Sequence, residues 1–475
     1  SDHSLIHDNF LNDFGINSKE TKMTMSNISL QDRKIGDHAI VMGASIAGLL
    51  SARVLSDYFK NVTVIERDKL NDRPENRKGQ PQAGHGHGIL PSAMAILNRY
   101  FPGLGDAVNE SGGVMADLGS SFIWYVLGGY RKPFESGLLL TLASRGNLEW
   151  QIRRRLLEIP NVSLLDEHRV VGLMTSEGKT GVSGVRAVNL RSNDTETEVR
   201  GELVVDALGR ESGAPRWLEA MGYDAPQLNS VEVDFGCASR IYERQKGDLG
   251  GASMLVINPG PMPNLRCGLI FPIEGDRWVV TLAGWNGDHP QADDAGFLGY
   301  ARSLPAPDLY DTIVDREPLT QIGVFKVPAV RRFRYDKLDS LPEGFLAVGD
   351  AVCSFNPTFG QGMASAVMQA DVINTAIGQH RNIKGIGKDF FARTAKIIDV
   401  PWKLSTSGDF QFPGTRGKKP FGTDLLNAYF DRVQKATHRD VVVHEAFLKV
   451  MNLSAPPISL FKPGIVRRSL LGRKN

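Results

Sequence analysis

The chain has 475 residues, 41% hydrophobic and 23% charged, which is too long for one simple core and predicts two or three packed units. Its formal net charge of +2 argues against nucleic acid as a partner, since phosphate binding calls for a clear basic excess. Cys237, Cys267 and Cys353 lie far apart without metal spacing, no run has the length of a membrane-spanning helix, and no secretory signal opens the chain; a soluble, cytoplasmic protein without disulfides or metal is expected.

Residues 1–37 are polar and mixed in charge and read as an N-terminal tail. His38 to Met42 is a short apolar run, as in a buried parallel strand, and Gly43-Ala44-Ser45-Ile46-Ala47-Gly48 follows it. A helix is expected from Leu49 to Tyr58, then a second strand, Val62 to Ile65, ending at Glu66. Strand, glycine turn, helix, strand and acid together make a dinucleotide fingerprint with one departure. Gly43 permits the tight turn and Gly48 the close packing of helix on strand. Ser45 stands where a glycine normally admits the pyrophosphate, but it is small and can donate a hydrogen bond to phosphate. Glu66, eighteen residues beyond Gly48, stands where an acid takes the adenosine ribose hydroxyls. The alternative is an unoccupied strand-turn-helix.

His85 and His87 lie in a glycine-rich loop, Gly84 to Gly88, expected to face cofactor or substrate or simply to pack. Two histidines without further carboxylate or cysteine partners do not make a metal site. Arg145 precedes Leu148-Glu149-Trp150 and a run, Arg153-Arg154-Arg155, that reads as solvated surface. From Ser253 to Trp285 the sequence alternates as an antiparallel sheet does, with a hairpin turn at Glu274-Gly275-Asp276. Phe235, Met254, Leu269, Phe271 and Trp285 along that sheet are either core or one apolar wall of a substrate pocket.

Phe345 to Val348 returns to parallel character and leads into Gly349-Asp350, then Asn356-Pro357, then Gly360-Gln361-Gly362 opening a helix. A carboxylate directly after a strand can accept hydrogen bonds from ribityl hydroxyls. A glycine-rich helix start aims backbone N–H groups and a positive dipole end at its ligand. A flavin needs that arrangement, because reduction places negative charge on its N1–C2=O edge, so the pair of motifs points to FAD. Beyond Gly360 the chain reads as helical, interrupted between Ser407 and Gly422. After Glu445 it has no acid but carries Lys449, Lys462, Arg467, Arg468, Arg473 and Lys474 among apolar side chains. Pro456-Pro457 and Pro463-Gly464 break this segment into short pieces, which favours packing on the FAD unit. Peripheral contact with an anionic membrane is the alternative.

Gly43–Gly48, Glu66, Gly349-Asp350 and Pro357–Gly362 together resemble the para-hydroxybenzoate-hydroxylase-type flavoprotein superfamily. More narrowly, Arg77-Lys78-Gly79-Gln80-Pro81-Gln82 with His85 and His87 resembles actinobacterial-type FAD oxygenases, which include the epoxidases of polyether biosynthesis. Asp206 to Arg210, Pro272-Ile273 with Trp278, and Asp350 through Met363 add to the match, which runs from His38 to about Ser407. The resemblance implies an α/β fold in three parts. These are a Rossmann-like FAD-binding domain (38–110, 145–225 and 335–385), a substrate domain with an antiparallel sheet (111–144 and 226–334), and a helical C-terminal region (386–475). It implies that Gly43, Ser45, Ala47 and Gly48 face pyrophosphate and that Glu66 and Arg67 lie by the ribose. Asp350 with Gly349 falls on ribitol, and Pro357, Gly360, Gln361, Gly362 and Met363 beside the isoalloxazine. Arg77, Lys78 and Arg145 complete the expected cofactor set, and His85 and His87 join the five sheet residues as the expected substrate pocket.

Two departures narrow the function. Hydroxylases of the superfamily often carry a central Asp-Gly pair serving both FAD and NAD(P)H; here Asp206-Ala207-Leu208-Gly209-Arg210 stands instead, so electrons are expected from NAD(P)H directly or through a separate flavin reductase. The superfamily's halogenases carry a Trp-x-Trp-x-Ile-Pro stretch, and Leu269-Ile270-Phe271-Pro272-Ile273 lacks both tryptophans. The expected activity is monooxygenation with O2 as co-substrate, by epoxidation or hydroxylation through a flavin C4a-hydroperoxide. Its expected substrate is a lipophilic polyketide, terpenoid or aromatic of secondary metabolism. A reductase of the geranylgeranyl-reductase type and a non-catalytic flavin-binding protein are the alternatives.

Overall fold

The computed structural model describes residues 34–471 apart from 193 and 261–263. The expected tail therefore lies, up to residue 33, outside the described residues. A parallel sheet forms from β1 (Gly36–Met42), β2 (Phe59–Ile65), β3 (Val162–Leu165), β4 (Leu203–Asp206) and β5 (Phe345–Ala347), in the order β5-β4-β1-β2-β3. Ala39 to Met42 are wholly buried, as expected for a strand covered on both faces. β1 starts two residues earlier than its apolar run, and β2 three residues earlier, because polar residues at a strand's start still pair: Gly36 with Phe59 and His38 with Asn61. The first helix, α1 (Ile46–Ser56), likewise starts and ends earlier than its pattern suggested.

On one side of this sheet α1 packs against α3 (Gly362–His380). On the other lies a three-stranded antiparallel sheet, His168–Thr175, Val182–Asn189 and Thr195–Arg200, whose Val170, Leu173, Val185 and Ala187 join the same core. This layer has no counterpart among the elements expected from the sequence.

The second large unit is a nine-stranded sheet. Its path runs Cys353–Ser354, Gly323–Phe333, Leu228–Glu243, Arg277–Gly284, Arg266–Ile273, Met254–Ile257, Phe122–Val126 and Gly129–Tyr130, with Arg416–Gly417 pairing Leu228–Glu243. The expected hairpin is present: Gly275 (φ 73°) and Asp276 (φ 48°) are both left-handed between paired Ile273 and Arg277. Side chains alternate across the sheet. Leu255, Ile270, Val280 and Leu282 pack under the helices Asp294–Arg302 and Asp308–Ile313. Met254, Leu269, Phe271, Thr281 and Ala283 point the opposite way, into a cavity.

That cavity is bounded on the far side by the C-terminal helices α4 (Ile386–Asp409), α5 (Thr423–Ala436) and α6 (Val441–Met451), with α7 (Pro463–Leu471) behind α5 and α6. Val433, Phe447, Leu448 and Leu460 share a core with Met254 and Leu118, so the C-terminal region docks on the sheet. Arg131 pins it there. Its guanidinium lies between the rings of Trp124 (4.3 Å) and Phe447 (4.1 Å) and donates to Thr437 Oγ1 (2.7 Å) and Gln434 Oε1 (3.1 Å). Burial without a carboxylate partner lowers its pKa to about 9.

Candidate active site

The glycine turn after β1 is set by contacts that exclude side chains. Gly43 has φ 100° and donates to Ile65 O (2.7 Å); a Cβ there would meet Ala207 O at 2.5 Å. A Cβ on Gly48 would stand 1.9 Å from Gly43 O. Gly48 therefore packs behind the loop and does not line the cavity, which corrects the expectation that it faces pyrophosphate. Gly43, Ser45 and Ala47 do line it. Ser45 precedes α1 without capping it, so the positive end of that helix remains open toward the cavity.

A charged cluster holds this loop in place. Glu149, on α2 (Arg145–Leu157), accepts from Arg77 Nη2 (3.0 Å), Arg145 Nε (2.9 Å) and Gln80 Nε2 (2.6 Å). Burial opposes ionisation of Glu149, but Arg145 and Arg77 outweigh it and hold the carboxyl below its ordinary range. Arg77 also pairs with Glu66 (3.0 Å) and Asp68 (3.3 Å) and donates to Ala44 O (3.2 Å). Arg145 reaches both ends of the site, donating to Ser45 Oγ (3.2 Å) and contacting Met363 Sδ (2.6 Å) at the start of α3. Glu149 was not among the expected site residues. Its one sequence signal was a carboxylate four residues after Arg145 on a helix, a spacing that puts both side chains on one face.

Glu66 lines the cavity and already accepts from Ala44 N (2.8 Å) and Asp68 N (3.0 Å) besides Arg77, so a ribose hydroxyl would be its fourth donor. Arg67 lines the cavity and pairs with Glu211 (2.6 Å). Lys78 does not. Its side chain is exposed and off the cavity wall, because the turn that sends Arg77 inward sends its neighbour out. Arg153 corrects the opposite way: instead of solvated surface it is buried and donates to Asn71 O (2.6 Å).

The second end of the site comes from β5 and α3. Gly349 (φ 63°) donates to Gln369 Oε1 (3.0 Å) and turns Asp350 into the cavity, where its carboxylate accepts from no protein donor among the described residues. Pro357, Gly360 (φ 68°), Gly362 and Met363 line the same space. A Cβ on Gly362 would meet only Phe355, at 4.0 Å, so the helix start is open. Gln361 provides no side-chain cap for α3. It turns away from the cavity and donates to Met451 O (3.0 Å), correcting its expected place beside the ring system.

The cavity measures about 1570 Å³, more than the roughly 300–1,000 Å³ that holds one drug-sized ligand, so it has room for two. Its polar end lies between the two helix starts. Its apolar end carries all seven expected pocket residues: His85, His87, Phe235, Met254, Leu269, Phe271 and Trp285. The histidine loop reaches the sheet because Gly86 has no side chain; a Cβ there would meet Phe271 at 2.4 Å. His85 Nδ1 is 2.7 Å from Ser239 Oγ, and His87 Nδ1 is 2.8 Å from His85 O. Burial lowers the pKa of His85 to about 4 and of His87, with help from Arg145, to about 3, so both are neutral at pH 7.

Asp409, at the end of α4, joins the two ends of the cavity and was also missed. Its Oδ1 accepts from Trp285 Nε1 (2.9 Å) on the apolar wall and from Asn356 Nδ2 (2.8 Å) beside Pro357. Burial raises its pKa to about 7 against the two hydrogen bonds, which lower it. Asp206 is buried at the end of β4, accepting from Leu208 N (3.0 Å) and Ser212 Oγ, and burial raises its pKa to about 6. It fixes its own turn rather than facing the cavity.

No protein-family model matches the chain. Among solved structures, a flavoprotein/dehydrogenase from Cytophaga hutchinsonii superposes with a TM-score of 0.65 at 16% identity, over 92% of this chain and 96% of the other. The p-nitrophenol 4-monooxygenase PnpA from Pseudomonas putida DLL-E4 gives 0.62 at 16% identity, over 89% and 99%. These likenesses establish a shared α/β fold with parallel and antiparallel sheets. In sequence, the chain is 31% identical to protein Rv3254 of Mycobacterium tuberculosis over 444 residues, 88% of this chain and 90% of that protein. The chain belongs to the same family as Rv3254.

Proposed function

We propose that this protein is an FAD-dependent monooxygenase acting on a lipophilic small molecule, by epoxidation of an olefin or hydroxylation, in secondary metabolism. One observation carries the reading: two uncapped helix starts and the carboxylate of Asp350, which has no hydrogen-bond donor among the described residues, face one cavity that continues into an apolar chamber. The residues present fit FAD. The start of α1, with Gly43, Ser45 and Arg145, would hold the pyrophosphate, and Glu66 the ribose. Asp350 would accept from the ribityl hydroxyls, and the start of α3 at Gly362 would face the electron-rich edge of the ring system. Bound FAD supplies two-electron redox chemistry and, when reduced, the activation of O2 for transfer of one oxygen atom.

The chain's own contribution is positioning and the exclusion of water. Phe235, Met254, Leu269, Phe271 and Trp285 give the substrate an apolar wall, and the neutral imidazoles of His85 and His87 add hydrogen-bonding groups without charge. Because Asp206 is committed to its own turn, we infer that NAD(P)H reduces the protein slowly and that a separate flavin reductase delivers electrons. PnpA's name supports oxygenation, whereas the Cytophaga neighbour's supports a dehydrogenase or reductase, the second reading.

Oxygen uptake by photoreduced protein separates the two. With labelled O2 and a lipophilic olefin or arene, one labelled atom is expected in the product and the other in water. Release of hydrogen peroxide alone, with the olefin reduced or untouched, would favour the reductase reading.

A further inference from the structure

One edge of the apolar chamber reaches the protein surface, and the side chains there are apolar. Leu426 on α5 and Ile458 and Phe461, just before α7, line the cavity and are also exposed, Ile458 by 75%. The ring of Phe461 stacks on Tyr429 of α5 at 4.7 Å, which brings the two segments together. Leu425, 79% exposed, adjoins Leu426, and Phe421, fully exposed, lies just ahead of the helix. Leu426, Ile458 and Phe461 border the opening, Phe421 and Leu425 extend the exposed apolar surface along the segment that leads into α5, and together they form a patch of the kind that marks an interaction site.

The charges around the patch have one dominant sign. Residues 410–423 contain Arg416, Lys418 and Lys419 and no acid; residues 452–471 contain Lys462, Arg467 and Arg468 and no acid. All six are exposed. Lys419 is paired with Asp424 and Arg468 with Asp440 (2.8 Å), which leaves Arg416, Lys418, Lys462 and Arg467 without a carboxylate partner among the described residues. The nearby acids are Asp424 and Asp431 on α5, Asp424 engaged as stated and Asp431 near Lys435, and the exposed Glu232, which stands across the strand pair from Arg416.

We propose that this mouth docks on an anionic lipid surface. Phe421, Leu425 and Ile458 would enter the boundary between headgroups and acyl chains, with the flanking cations on lipid phosphates. No described helix is long and apolar enough to cross a membrane, so the contact is peripheral. A lipid surface suits the geometry better than a protein partner. The opening sits within the patch, so a partner protein would seal the chamber, whereas a bilayer would let a lipophilic molecule pass into it without entering water. The C-terminal sequence alone had favoured packing. The structure keeps that packing for Phe447, Leu448 and Leu460, but adds Phe421 and Leu425 from a different segment to the exposed face.

The proposal rests on the reading of the chamber as a site for a lipophilic molecule, but its test involves no redox chemistry and so fails or succeeds separately from the flavin. The full chain would be sedimented with vesicles of phosphatidylcholine, alone or mixed with phosphatidylglycerol. Salt-sensitive binding to the mixed vesicles is expected. The double replacement Phe421→Ser, Leu425→Ser should weaken it roughly ten-fold, as should Lys418→Glu with Lys462→Glu. All four side chains are exposed, so unchanged circular dichroism and Tm would show that the variants fold. The proposal is overturned if the wild-type chain ignores anionic vesicles, or if every variant binds them as the wild type does. It is equally overturned if the chain binds no vesicles but forms dimers that the Phe421, Leu425 variant abolishes, which would make the patch an interface between copies.

Discussion

Glu149→Ala should cost about 3–5 kcal/mol of folding stability, enough to leave a marginally stable protein largely unfolded. Glu149 is 2% exposed and is the carboxylate shared by Arg77 and Arg145. Arg77 would retain Glu66 and Asp68, but Arg145 has no second ion pair among the described residues. In the FAD-free protein, removing the carboxylate therefore strands a buried guanidinium, and a buried charge without a partner is far more destabilising than loss of the pair's net attraction suggests. Glu149→Gln keeps the acceptor but not the charge and should fall between the two. Urea unfolding followed by circular dichroism measures both. A loss below about 1 kcal/mol for the alanine variant would mean that water reaches Arg145 and that the cluster is not sealed.

Gly48→Val should abolish soluble expression. A Cβ at residue 48 would lie 1.9 Å from Gly43 O and 3.3 Å from Ala207 Cβ. The carbonyl cannot retreat, because Gly43 is fixed by its own bond to Ile65 O and its left-handed φ. Helix and loop would have to separate, opening the core formed by Ile46, Leu49 and Leu50 on β1. Overpacking against backbone with two extra branch methyls exceeds the roughly 1–3 kcal/mol typical of inserted core methylenes. Even Gly48→Ala should lower Tm measurably. Wild-type yield and Tm for the valine variant would refute this account of the loop.

Much of this architecture was legible because its signals are local. β1, the glycine turn and β2 follow from one apolar run and two glycines, and the 273–277 hairpin follows from Glu274-Gly275-Asp276. In the three-stranded sheet at 168–200 only the first two strands carry buried apolar side chains into the core. Thr195–Arg200 is exposed along most of its length, so its strand carries no apolar alternation. Of the site residues selected by backbone constraint, Gly43 and Gly362 line the cavity, whereas Gly48 packs behind the loop. Those set by side-chain direction were less legible: Lys78 and Gln361 share a motif with lining residues yet point away. Glu149 and Asp409 were missed because their roles depend on partners 72 and 53 residues distant, a proximity that only the folded chain creates.

The central claim is that Gly43, Ser45 and Asp350 hold the two halves of one dinucleotide. It is tested most directly by unfolding the purified protein and identifying the released chromophore by chromatography, in parallel with the Asp350→Ala variant. The account predicts one FAD per chain from the wild type and at least roughly ten-fold weaker FAD binding by the variant, with unchanged circular dichroism. Release of FMN alone, or a colourless protein that FAD cannot reconstitute, would contradict it.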